Sequence, residues 1–372
     1  MKLAGIRVLD LSQFLPGPHL TMTMADHGAD VIMVEPKNGI GEPVRAMGTR
    51  ASDGTSVWFR NIARGKRSIA LDLKSKSDLE AFLNLADTAD VIVEAFRPGV
   101  AARLGVGYDA IAARNPRIVY CSLSAFGQNG PWRDKPAHDL GVQALAGTLD
   151  LSRSFADKKP NMPNLVAADM ASSLTALSAI LMALLARERS DKGDYIDIAM
   201  YDSLLAWTPN VVGSVFGENR APNPHEMRNY GGQAMNRIYE TGDGGFIVLA
   251  GNEAKFCENL LRALGRLDFV DSAKGEPGAA QLPLIEYFAA TFKTKTLAEW
   301  ETFLAPLDLC WAPVRNLNDA YSDDNVAARS MLLHDDTGQP HIGPAIKFRR
   351  EPAEPRLGLP DYEPGKSIAW RT

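Results

Sequence analysis

The chain has 372 residues, 45% hydrophobic and 23% charged, a balance that excludes disorder and a fibrous repeat and allows two domains with separate cores. Forty Lys and Arg against 45 Asp and Glu leave a net charge of −5, which argues against a non-specific nucleic-acid binder, whose domain would be basic. Cys121, Cys257 and Cys310 are odd in number and far apart, so neither a disulfide framework nor a CxxC zinc site is expected, and a reducing cytoplasm is.

At the amino terminus, Arg7 and Asp10 interrupt the apolar run MKLAGIRVLDLS, which therefore reads as a strand and not as a signal peptide. Strands are predicted at 6–11, 30–35, 68–73, 90–96 and 118–123, with helices at 19–27, 76–86, 108–114 and 139–149. Short strands alternating with helices imply an α/β fold, a parallel sheet covered on both faces. Such sheets bind ligands beyond the carboxyl ends of their strands. No GxGxxG or GxxxxGK[ST] follows any of these strands, which removes the main support for a dinucleotide or P-loop reading.

A turn at 160–163 leads to a long helix at 170–188 and a strand at 195–199. The apolar run 170–186 carries Ser172, Ser173, Thr175 and Ser178 and is short for a membrane span, so it reads as a buried helix, with no membrane partner. Residues 209–232, rich in Gly, Pro and Asn, read as a linker. A second unit begins near Ala234, with a strand at 246–250 and helices at 254–264, 284–292 and 297–307. The expected division is a large domain at 1–205, a linker at 206–233, a small domain at 234–318 and a proline-punctuated tail at 319–372.

Asp169 directly precedes the long predicted helix. Its carboxylate is placed to cap the helix, or to meet a substrate whose developing oxyanion the unpaired N–H groups would stabilise. Gly127-Gln128-Asn129-Gly130-Pro131, followed by Arg133, Lys135 and His138-Asp139, lies at the ligand-binding edge of the sheet. It reads either as an ordinary turn or as a glycine-rich loop whose cations hold phosphates. Phe96-Arg97-Pro98-Gly99 with Arg103, and Lys66, Arg67 and Lys74, add cations near other strand ends. Together they suggest an anionic ligand with more than one phosphate.

An ordered set of segments resembles the family III CoA-transferases. The set begins with Gly5-Ile6-Arg7-Val8-Leu9-Asp10-Leu11, Pro16-Gly17-Pro18, Gly28-Ala29-Asp30-Val31-Ile32 and Glu35-Pro36. It continues with 66–74, Val93-Glu94-Ala95-Phe96-Arg97-Pro98-Gly99, 126–131 and Ala168-Asp169, and ends near 199–203, with weaker similarity at 246–257 and 300–314. The resemblance implies a Rossmann-like large domain completed by the returning tail, a smaller α+β domain, and two such chains interlocked as rings in a homodimer. It implies coenzyme A bound as a thioester substrate without the dinucleotide glycine fingerprint; nothing in the sequence indicates a metal, and none is expected. Leu71, Lys74, Phe96, Arg97, Arg103 and Lys135 would line the CoA site, and Asp169 would be catalytic.

Two chemistries occur in this family. In transferases the aspartate attacks an acyl-CoA, and CoA passes through an aspartyl thioester to an acceptor carboxylic acid. In the related 2-methylacyl-CoA racemases an aspartate and a histidine exchange the α-proton. His138 and Asp169 match the racemase pair, and Glu253 matches a glutamate that supports the racemase histidine. Gln143-Ala144-Leu145-Ala146-Gly147 and Met170-Ala171-Ser172-Ser173 match the transferases, which usually carry Tyr at the His138 position. Transferase is the favoured expectation and racemase the alternative. The acyl group is not legible; the lack of a glycine-rich small-domain loop argues against formyl-CoA and oxalate as substrates.

Overall fold

The structure, a computed structural model, describes every residue except Phe155 and Thr372. The chain forms two compact units: Met1–Gly147, Pro163–Thr208 and Asp324–Thr372 make the first, and Thr148–Met162 with Pro209–Asp323 the second.

In the first unit the β-branched runs become β1 (Arg7–Leu11), β2 (Asp30–Pro36), β3 (Arg67–Leu71), β4 (Val91–Glu94), β5 (Val119–Ser124) and β6 (Asp194–Ala199). They form one six-stranded parallel sheet in the order β3-β2-β1-β4-β5-β6. This is the doubly wound nucleotide-binding order, whose switch point lies between β1 and β4. Alternation of side chains along each strand feeds two cores. Val8, Val91, Val93 and Cys121 face one side with Leu20, Met24 and Ile180, while Leu9, Ile92 and Tyr120 face the other with Phe82 and Ile111.

The helices of this unit include α1 (Pro16–Asp26), α2 (Val57–Ala63), α3 (Lys76–Ala86), α4 (Val100–Arg103), α5 (Tyr108–Arg114), α6 (Asp139–Leu145), α7 (Ala167–Ser190) and α8 (Met200–Leu205). The expected 76–86 and 108–114 helices appear with those bounds. The sequence pattern does not show α2, an aromatic-rich turn started by the Ser56 hydroxyl accepting from the Phe59 N–H at 3.2 Å. By length and composition α7 could cross a membrane. One face of it, with Ala176, Leu177, Ile180 and Leu184, is buried in the sheet core. Its other face leaves Leu174, Leu181, Met182 and Leu185 exposed.

The carboxy-terminal segment packs on this unit through polar contacts at widely spaced points. Arg45 donates to the Pro360 carbonyl (2.9 Å), Tyr362 to the Pro36 carbonyl (3.1 Å), and the Trp370 indole to the Leu85 carbonyl (3.3 Å).

The second unit contains α9 (Gly213–Glu218), β7 (Asn236–Glu240), β8 (Phe246–Ala250), α10 (Ala254–Ala263), α11 (Val270–Ala273), α12 (Leu282–Phe292), α13 (Leu297–Leu304) and β9 (Trp311–Pro313). Its three strands pair antiparallel in the order β7-β8-β9, over a core including Tyr239, Leu249, Leu260, Phe288, Phe292 and Trp300. Residues 209–232, expected as linker, carry α9 and further tight turns and belong to this unit, as do residues 148–162. Gly and Pro there shape turns that belong to a compact unit, which composition alone does not distinguish from a tether.

Candidate active site

The loops leaving β1, β4 and β5 converge at the switch point and enclose a cavity of about 400 Å³, lined among others by Phe14, Phe96, Arg97, Lys135, His138 and Asp169. A ligand site at this place follows from the strand order, because the loops on either side of the switch point diverge and leave a crevice.

Each loop is held by a carboxylate that accepts from main-chain N–H groups. After β1, Asp10 accepts from the Ser12 N–H (3.0 Å) and the Thr21 hydroxyl (2.5 Å), and the buried Lys66 ammonium donates to it at 3.0 Å. Gly17 lets the turn close, since a Cβ there would fall 2.2 Å from the Ser12 side chain. Phe14 takes the left-handed conformation (φ 67°), and its N–H donates to Glu42 at 3.0 Å. Burial pushes the Glu42 carboxyl up to about 7. After β4, Glu94 accepts from the Phe96 N–H (2.7 Å) and the Ser122 hydroxyl (2.5 Å). After β5, Asp197 accepts from the Gln128 N–H at 2.9 Å.

A fifth carboxylate corrects the expectation for Asp169. Helix α7 begins at Ala167, so Asp169 is its third residue and not the residue preceding it. The capping carboxylate comes from Asp139 in the first turn of α6. It accepts from the Ala168 N–H at 2.7 Å and the Asp169 N–H at 3.2 Å, and Gln143 donates to its other oxygen at 2.6 Å. The N–H groups expected to face an oxyanion are therefore occupied by Asp139. The Asp169 carboxylate itself receives no hydrogen bond from the described residues and opens onto the cavity. Burial first, and then the Asp139 charge, push it up to about 7.

His138, the residue before α6, lines the same cavity with its ring edge-on to Phe14, 6.5 Å between centroids. Phe96, Arg97 and Lys135 also line it. Leu71 closes β3 with its side chain in the sheet core, so only its main chain is available to a ligand. Lys74 is exposed in the turn after β3, and Arg103 is exposed on α4. Glu253 belongs to the second unit, where it is exposed and precedes α10.

Sequence reasoning missed Phe14, whose backbone conformation has no local signal, and the capping role of Asp139. The His138-Asp139 pair was visible, but not that Asp139 reaches a helix starting 28 residues later. Among the described residues no group of His, Cys, Asp and Glu side chains could hold a metal ion.

The family model for CoA-transferase family III matches residues 3–364. The acetyl-CoA:oxalate CoA-transferase of Acetobacter aceti is 36% identical over 338 residues, covering 88% of this chain and 85% of its own. The alpha-methylacyl-CoA racemase of Mus musculus is 32% identical over 362 residues, covering 95% and 88%. The crystal structure of a CAIB/BAIF family protein from Brucella suis superposes with a TM-score of 0.81 at 26% identity, covering 96% of each chain. With the switch-point cavity and Asp169 beside it, the chain belongs to CoA-transferase family III and is an enzyme of that family.

Proposed function

We propose that the enzyme moves CoA from an acyl-CoA donor to a carboxylic acid acceptor, with Asp169 as the covalent nucleophile. The observation that carries this is a carboxylate that lines the cavity, caps no helix and accepts no hydrogen bond from the described residues. Ionised, it attacks the donor thioester carbonyl, and the C–S bond breaks to release the CoA thiolate and leave an aspartyl–acyl mixed anhydride. The thiolate then attacks the aspartyl carbonyl, expelling the donor acid and forming an aspartyl-CoA thioester. The acceptor carboxylate repeats the sequence in reverse and leaves as its CoA thioester, and Asp169 is regenerated. Phe96, Arg97, Lys135, the Leu71 main chain, Lys74 and Arg103 hold the CoA. His138 lines the acyl end without acting as a base.

A second reading, 2-methylacyl-CoA racemisation, has one specific support: His138 and Asp169 line the same cavity, as an acid and a base on opposite faces of an enolate would. The oxalate relative removes the weight of the missing glycine-rich loop against oxalate, so acetyl-CoA with oxalate is the first substrate pair to try. We further propose an interlocked homodimer in a reducing cytoplasm. The apolar stripe of Leu174, Leu181, Met182 and Leu185 on α7 and the three free cysteines support that assembly and compartment.

The test is mass spectrometry of the Asp169 peptide after incubation with acyl-CoAs and hydroxylamine, with a parallel sample in heavy water. A hydroxamate at Asp169 supports the transferase. No adduct, with deuterium entering the α-carbon of a 2-methylacyl-CoA, transfers the site to the racemase. His138→Ala should abolish racemisation and only moderately slow CoA transfer.

A further inference from the structure

Arg133 belongs to the loop between β5 and α6 and lines the cavity beside Arg97 and Lys135. Its Nε donates to the Gln128 carbonyl at 3.0 Å, and its Nη1 to the Asp134 carboxylate, also at 3.0 Å. Gln128 is itself tied by its N–H to Asp197. The guanidinium is thus aimed by a turn anchored to β6, and its Nη2 donates to none of the described residues.

What Nη2 faces is the second observation. Gly99 lies in the left-handed region (φ 80°), and a Cβ on it would fall 3.1 Å from Arg103 Nη1 and 3.3 Å from Arg133 Nη2. Both guanidiniums therefore pack over the same glycine. Arg103 forms no ion pair among the described residues, and Asp134, the partner of Arg133, is exposed. Two cations held this close without a buried carboxylate between them repel one another, and an anion placed between them relieves that repulsion. Guanidinium forks match phosphate oxygens, giving short charge-assisted hydrogen bonds.

Resting on the CoA reading, we propose that Arg133 is a specificity-determining residue that grips one phosphate of the CoA nucleotide jointly with Arg103, across Gly99. The loop between β5 and α6 then does two tasks. It presents the phosphate clamp at Arg133 and, a few residues on, His138, which lines the cavity, and Asp139, which caps α7.

The experiment is calorimetric titration of the wild-type enzyme and of Arg133→Gln with CoA, dephospho-CoA and pantetheine. Loss of a charge-assisted phosphate contact should weaken CoA binding about tenfold or more and leave pantetheine binding unchanged. A loss confined to CoA assigns the clamp to the 3′-phosphate; an equal loss for dephospho-CoA assigns it to the diphosphate. Arg133→Lys should recover part of the affinity. CoA binding by Arg133→Gln within twofold of wild type overturns the proposal, as does an equal weakening of pantetheine, which would mark a structural effect. Wild-type enzyme that binds none of the three would instead overturn the CoA reading itself.

Discussion

Asp169 sits in the first turn of α7 yet leaves the capping to Asp139, and this division shapes its chemistry. A carboxylate that caps its own helix is kept ionised by the N–H groups it satisfies. Here the second carboxylate takes those groups, and burial first, then its charge, raise Asp169 to about 7. A nucleophile must be ionised, so CoA transfer should fall as the pH drops below about 7. Asp139→Asn keeps an oxygen for the Ala168 and Asp169 N–H groups and removes the charge. Its kcat/KM profile should have the acidic limb at lower pH than wild type; an unmoved limb would assign that ionisation elsewhere. The same shift bears on stability. The folded pKa lies above the unfolded value, so the folded state binds more protons between them, and stability falls as pH rises through that window. Asp169→Asn should be inactive yet more stable to urea than wild type at pH 8, by on the order of 1–3 kcal/mol after allowing for partial exposure, with the gap closing as the pH falls towards 4.

Buried carboxylates turn flexible loops into walls at the level of the elements. The turn from β1 to α1 is held by Asp10 and by Glu42, and the second of these supports Phe14 in a conformation costing about 1–3 kcal/mol. Glu42→Ala should free this turn, raising KM for the acyl-CoA and lowering kcat. Glu42→Gln, which keeps the carbonyl acceptor and is close in charge to a carboxyl titrating at about 7, should restore most of both. Equal activities in the two variants would show that the Phe14 N–H bond does not position the turn. The Asp10–Lys66 pair is wholly buried on both sides, and removing one partner leaves an uncompensated charge. Asp10→Ala should cost about 3–5 kcal/mol, measured by urea unfolding.

For the whole molecule, the tail ties distant parts of the first unit together. Its contacts at Pro360, Tyr362, Ala369 and Trp370 reach β2, β3, α3 and the segment before α2. Truncation after Gly358 should expose the edge of the sheet core where Ile368 and Trp370 pack and lower the melting temperature of the first unit by several degrees. An unchanged melting curve would show that these contacts add nothing to stability.

The sequence by itself determined the alternation of strands and helices, and with it the parallel sheet. Burial on both faces demands the near-continuous apolar runs at Val91–Glu94 and Val119–Ser124, which are legible without a partner. It also marked Asp169, His138, Phe96, Arg97 and Lys135, because functional loops follow strand ends and carry residues out of keeping with a core. Only the tertiary structure decided which carboxylate caps α7, that Leu71 is core while Arg133 faces the cavity, and that residues 209–232 belong to the second unit. Those outcomes depend on contacts between residues far apart in the chain, such as Asp139 with Ala168, Glu42 with Phe14 and Arg133 with the turn at Gly99. Local pattern records the period of a strand or helix, whereas a long-range hydrogen bond leaves no period to read.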